Sequence, residues 1–167
     1  MVDVSGITRK PAVVSTSFAV LAGMCSALSV ALGSLTGLAL AGPGLLAVGV
    51  GLSTGGRRTL GAGGTLLVGG VLLAGVQGAG PETLLFGLLT AVLAWDVGEH
   101  GIGVGEQLGR EADTTRLELV HAGASTAVGV VAAGIGYGAY LGAAGGQPVT
   151  ALVFLLLGAV ILVSVLR

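Results

Sequence analysis

The sequence predicts an all-α integral membrane bundle of six transmembrane helices with both termini cytoplasmic. Three observations carry that expectation. Of the 167 residues, 53% are apolar and 9% are charged, where an ordinary soluble domain is about 25% charged. The apolar residues fall in runs of span length separated by Gly, Pro and Ser breaks. The seven basic residues collect on one side when six spans are drawn.

Seven basic and eight acidic side chains cannot cover a soluble body of this size, whereas a lipid-facing exterior needs no charge. A soluble globular enzyme is therefore excluded. The net charge of -1 and the six aromatics (one Trp, two Tyr, three Phe) exclude a basic nucleic-acid footprint.

The first span runs near 12–32 and the second near 35–54, with a tight turn at Gly33 and Ser34. Ala41-Gly42-Pro43-Gly44 is a competing turn signal that would divide the same stretch differently. The third span lies near 59–76. The fourth, near 81–97, opens on Pro81, a residue favoured in a first helical turn, and closes near Trp95, an aromatic of the kind found at headgroup level. A cytoplasmic polar segment, 98–115, precedes the fifth span near 116–142, and the sixth lies near 148–166. The chain is one membrane domain, 1–167. Arg9 and Lys10 before an apolar run imitate a secretory signal, but the distance to Ala39-x-Ala41 exceeds an h-region of about 7–15 residues, so the first span is expected to remain uncleaved.

With the N-terminus inside, Arg9, Lys10, Arg57, Arg58, Arg110, Arg116 and Arg167 all fall on the cytoplasmic face. Five or seven spans would scatter them. A β-barrel is a poor alternative, since Leu152 to Leu166 shows none of the alternation a membrane strand needs. Small residues let membrane helices approach closely, and Gly134, Gly138 and Gly142 share a face of the fifth helix, which predicts a packing face there. Cys25, with no partner for an intramolecular disulfide, reads as a small buried hydrophobe.

Several patterns resemble catalytic motifs without their context. Gly51-x-x-x-x-Gly56-Arg57-Arg58-Thr59 has Arg where a phosphate-binding loop needs Lys, and no strand precedes it. Gly134-x-Gly136-x-x-Ala139 lacks a βαβ unit, and Gly123-x-Ser125-x-Ala127 lacks the last Gly of a nucleophile elbow. Between their ends the spans hold no Asp, Glu, Lys, Arg or His, which argues against an ion-coupled transporter.

The polar chemistry is concentrated in 96–121, which holds six of the eight acids and both histidines. Read as a helix, Val97, Gly101, Val104, Leu108, Ala112, Thr115 and Leu119 form a weakly apolar stripe, opposed by Glu99, Glu106, Arg110 and Asp113. Glu106 and Arg110 are spaced for an i,i+4 ion pair. The glycines at 98, 101, 103, 105 and 109 work against this helix. Thr115-x-x-Glu118 is a capping-box pattern. Asp96 with His100, and Glu118 with His121, sit at the facing ends of two spans, so these four are the candidates for a Zn, Mn or Fe site. A hydrogen-bonded polar network is the preferred reading, with no metal and no cofactor.

Trp95-Asp96-Val97-Gly98-Glu99, Gly105-Glu106-Gln107-Leu108-Gly109-Arg110-Glu111-Ala112 and Thr115-Arg116-Leu117-Glu118-Leu119-Val120-His121-Ala122 resemble an uncharacterised family of haloarchaeal multi-pass membrane proteins. The closing Gln147-Pro148-Val149-Thr150-Ala151 fits as well. Members of that family look like neighbours of genes for MoxR-type AAA ATPases, von Willebrand A-like proteins and transglutaminase-like membrane proteins. The resemblance implies a subunit of a membrane-associated assembly in the cell membrane, with an AAA ATPase system as partner, and carries over no catalytic residue. The function expected is a non-enzymatic scaffold that docks a partner through Glu99, Glu106, Arg110, Glu111, Asp113 and Arg116, in a bilayer and as a monomer or homo-oligomer. A channel or carrier for a neutral solute is the alternative, and a membrane enzyme with a metal at the inner face the third.

Overall fold

The computed structural model describes residues 9–109, 112–142, 149, 152–153 and 156–158. Five helices among them are long and apolar enough to cross a membrane: α1 (Val13–Gly33), α2 (Leu35–Thr54), α3 (Arg57–Val76), α4 (Pro81–Leu108) and α5 (Thr115–Gly142). Most of the sixth predicted span, 148–166, lies outside the described residues. The described positions within it include buried Leu152, Val153 and Leu156, which join the core formed by α1 to α4.

Local chemistry sets the helix boundaries. Ser34 separates α1 from α2 in an extended conformation, its hydroxyl accepting from the Gly37 N–H at 2.8 Å and donating to the Gln77 side-chain oxygen at 2.5 Å. The competing signal at Ala41-Gly42-Pro43-Gly44 makes no turn. Pro43 lies inside α2 on an exposed face, where its ring costs one backbone hydrogen bond without obstructing a neighbouring helix. Gly55, at φ 72°, ends α2, so α3 begins at Arg57, ahead of the expected 59.

The α2/α3 pair is the closest in the bundle, and its cause is legible residue by residue. Gly37, Gly44 and Gly51 recur every seventh residue along α2, and Gly63 and Gly70 do so along α3. A methyl group built on Gly44 would lie 2.9 Å from the Leu67 nitrogen, on Gly63 2.6 Å from the Val48 nitrogen, and on Gly70 2.9 Å from the Gly37 oxygen. Backbone meets backbone along this seam, as small-residue interfaces in membranes allow. Hydroxyls join α1 to α4: Ser26 donates to the Gly87 carbonyl at 2.9 Å and Ser29 to the Thr83 carbonyl at 2.7 Å.

The fourth helix departs most from expectation. It continues through residues 98–108, so the polar segment between helices is reduced to 109–114, and Gly109 at φ 78° ends the helix. Its glycines do not break it, because they are contact points. A methyl on Gly98 would meet Leu60 at 3.1 Å, and one on Gly101 would meet the Ser15 β-carbon at 2.7 Å. One on Gly105 would overlap the Lys10 carbonyl. The segment before α1 thus lies across α4, and the Ala12 N–H donates to the Gly101 carbonyl at 2.9 Å. Val97, Gly101 and Val104 do form a buried face, but what covers it at Gly101 is the start of α1 rather than a membrane surface. Trp95 packs against Gly64 of α3.

Helix α5 is the outermost. Only 6% of its most apolar window is buried, against 33–50% in the other four helices. Gly134, Gly138 and Gly142, expected to pack, have no partner among the described residues: a methyl on any of them would meet none of these within 4 Å. The spacing rule identified a common face but not its partner; on α5 the close approach is at Gly129, against Leu89 of α4, and backbone meets backbone at Gly37, Gly44, Gly51, Gly63, Gly70 and Gly105 on the other elements. Cys25 is likewise exposed on α1 rather than buried.

Candidate functional site

The start of α1, the α2–α3 turn, the end of α4 and the start of α5 meet at one end of the bundle. The contacts that show this are Ala12 with Gly101, Arg57 with Glu106 at 2.8 Å, and Ser15 with Glu118 at 2.6 Å. All the described basic residues, Arg9, Lys10, Arg57, Arg58 and Arg116, belong to this end. The other end carries Ser34, Gln77, Glu82 and Tyr137, with the Tyr137 hydroxyl donating to Glu82 at 2.5 Å.

Between α4 and α5 lies a polar cluster. Helical spacing puts Asp96 and His100 on one face of α4, and His121 and Ser125 on one face of α5. Asp96 Oδ2 lies 3.1 Å from His121 Nε2 and accepts from the Ser125 hydroxyl at 2.6 Å. The His100 and His121 rings stack with centroids 3.8 Å apart and planes 9° from parallel. The buried Nε2 of His100 has no hydrogen-bond partner among the described residues. Arg57, Asp96, Glu99, His100 and His121 line an open pocket of about 250 Å³ beside it.

The four metal candidates converge only in part. Glu118, 3% exposed, turns away to the N-terminal turn of α1, where one carboxylate oxygen accepts from the Ser15 N–H and the other from the Thr114 hydroxyl at 2.7 Å. In-plane lone pairs of two parallel stacked rings cannot meet at one ion, and the described residues contain no group of three or more that could hold a metal. What the geometry offers instead is a hydrogen-bonded tie between α4 and α5, in which Ser125 takes part. In the sequence, Ser125 stands out only within the incomplete Gly123-x-Ser125-x-Ala127 pattern. Its signal was the placement of Glu118, His121 and Ser125 on successive turns of one helix face.

The capping box is also rearranged. Thr114, one residue before the expected Thr115, stands ahead of α5, and its carbonyl accepts from the Glu118 N–H at 3.0 Å. The carboxylate serves a different helix because Ala12, at the N-cap of α1, has no side-chain acceptor. Glu106 pairs with Arg57 across α3 and α4, and α4 ends at Leu108. Arg110 and Glu111 lie outside the described residues. Glu99 is half-buried at the pocket, while Asp113 and Arg116 are exposed and, with Thr115, Leu119 and Val120, line an open groove of about 440 Å³. The Gly51 to Thr59 motif is a helix-turn-helix connection, with Gly51 against Leu60 and no strand in front.

Loss of the α4/α5 tie has a measurable consequence. His121→Leu removes both a hydrogen bond and a ring stack while leaving Asp96 half-buried, and is expected to cost about 1–3 kcal/mol in detergent unfolding. Asp96→Asn, which keeps an acceptor for the Ser125 hydroxyl, is expected to cost less; equal losses would contradict the tie as drawn.

Long apolar helices joined through small-residue contacts, with charge gathered at one end, define a multi-pass helical membrane protein. A family of unknown function (DUF7519) matches residues 9–163, and the chain belongs to that family. No curated protein and no solved structure matches it.

Proposed function

We propose that this chain is a non-enzymatic subunit of a membrane-associated assembly, with its charged end cytoplasmic, that docks a partner at the start of α5. The observation that carries the reading is the groove of Asp113, Thr115, Arg116, Leu119 and Val120. It combines exposed charge with exposed apolar surface, Leu119 at 57% and Val120 at 63%, and the bundle's own packing uses neither. Three carboxylates near it are engaged internally: Glu118 on α1, Glu106 on Arg57, Asp96 on His121 and Ser125. The resemblance to haloarchaeal membrane proteins encoded beside MoxR-type ATPases supports an AAA ATPase system as the partner. The hydroxyls that would line a solute pathway, Ser26, Ser29 and Thr90, donate to helix carbonyls, which favours a packed seam over a pore.

The test has two arms. In a Cys25→Ser background, Gly80→Cys is expected to react with an impermeant reagent outside intact cells and Gln107→Cys is not. The double reversal Asp113→Lys/Arg116→Glu is expected to lose, at unchanged expression, proteins that co-purify with the parent in mild detergent. External labelling of Gln107→Cys would reverse the orientation, and an unchanged set of co-purifying proteins would remove the docking site.

A further inference from the structure

We propose that Arg9, Lys10 and Arg58 form a seat for the phosphate headgroup of an anionic phospholipid. Three contacts assemble it from distant parts of the chain. Pro11 lies against the α2–α3 turn, 3.9 Å from where a Gly55 β-carbon would stand. The Lys10 carbonyl lies on Gly105 of α4, and Ala12 is fastened to Gly101. The cations before α1 are thereby held beside those that open α3. Arg57 is neutralised there by Glu106 at 2.8 Å and sits against Gly103 of the same helix. Arg9, Lys10 and Arg58 are all exposed and make no ion pair among the described residues.

Depth identifies the ligand. The apolar spans begin immediately beyond these cations, α1 at Val13 and the apolar run of α3 at Leu60. That places the three positive charges at the level of the lipid phosphates rather than in bulk solvent. A stack of acidic lipids is the anion available there, and each cation held near such a surface contributes about a factor of five in affinity. The seat is separate from the proposed docking groove, since none of its three residues lines it.

The full chain, purified in a neutral detergent, can be titrated with dioleoyl phosphatidylglycerol, dioleoyl phosphatidylcholine or glycerol 1-phosphate, with bound lipid counted by native mass spectrometry. The parent is expected to prefer phosphatidylglycerol over phosphatidylcholine. The triple variant Arg9→Gln/Lys10→Gln/Arg58→Gln is expected to lose on the order of a hundredfold in phosphatidylglycerol affinity. Arg58→Gln alone, which leaves the segment before α1 untouched, should lose about fivefold, and Arg116→Gln should lose nothing. Equal binding of both lipids by the parent, or parental affinity in the triple variant or in Arg58→Gln, would overturn the seat. Displacement of the lipid by equimolar glycerol 1-phosphate would show a site for soluble phosphates instead and would overturn it equally.

Discussion

Gly63→Val is expected to be among the most damaging single substitutions in the bundle, costing about 3 kcal/mol or preventing α2 and α3 from pairing at all. The first atom of the new side chain would stand 2.6 Å from the Val48 nitrogen and 2.8 Å from the Gly44 oxygen. Both are backbone atoms in the middle of a helix, so no rotamer change can relieve the overlap. The helices would have to separate, and separation would also open the contacts at Gly37/Gly70 and Gly51/Leu60 on the same seam. Two comparisons isolate the cause. Gly49→Val on α2 and Gly138→Leu on α5 add at least as much bulk where a methyl meets nothing within 4 Å among the described residues, and both should melt with the parent in mild detergent. If Gly63→Val melted with Gly49→Val, the seam would not be holding the pair together.

The contrast between Gly63 and Gly138 shows what the sequence could and could not reveal. Span positions follow from hydropathy and from Gly, Pro and Ser breaks, which are local properties, so the α2 limits match the expected 35–54 and the α1 limits differ from 12–32 by one residue. Which glycines pack is a property of pairs. Both Gly134-x-x-x-Gly138 and the seven-residue series through Gly37, Gly44 and Gly51 are visible in the sequence, but only the second has a matching series, Gly63 and Gly70, on the adjacent antiparallel helix. That complementarity was the missed signal. The extension of α4 was hidden for a related reason. Gly101 and Gly105 weaken a helix in isolation, but here they admit the segment carrying Lys10 and Ala12, more than 80 positions earlier in the chain. The α4/α5 polar cluster was legible as far as Asp96 and His121, which stand at facing helix ends. The destination of Glu118 was not, since its partner Ser15 is 103 residues away and is contacted through the backbone.

Glu118→Ala is expected to cost about 2–4 kcal/mol, more than any other carboxylate substitution among the described residues, because it removes a cap and strands a donor at once. The carboxylate is 3% exposed, accepts from the Ser15 N–H at 2.6 Å and from the Thr114 hydroxyl at 2.7 Å, and stands at the positive end of α1. Ala12 cannot substitute as a cap, and water has little access to the Ser15 amide, since Ser15 is itself 1% exposed. Glu118→Gln keeps one acceptor oxygen and the shape but must turn an NH₂ toward one of two donors, so it should retain about half of the effect. Asp113→Ala, which loses one long 3.3 Å contact to the Thr115 N–H at an exposed position, should lie within about 0.5 kcal/mol of the parent. Hydrogen exchange gives the specific readout. In Glu118→Ala the amide of Ser15 should lose its protection while the α2/α3 amides keep theirs, because the cap joins α5 to α1 and touches neither of those helices. Retained protection at Ser15 together with a parental melting temperature would mean that the carboxylate does not cap α1.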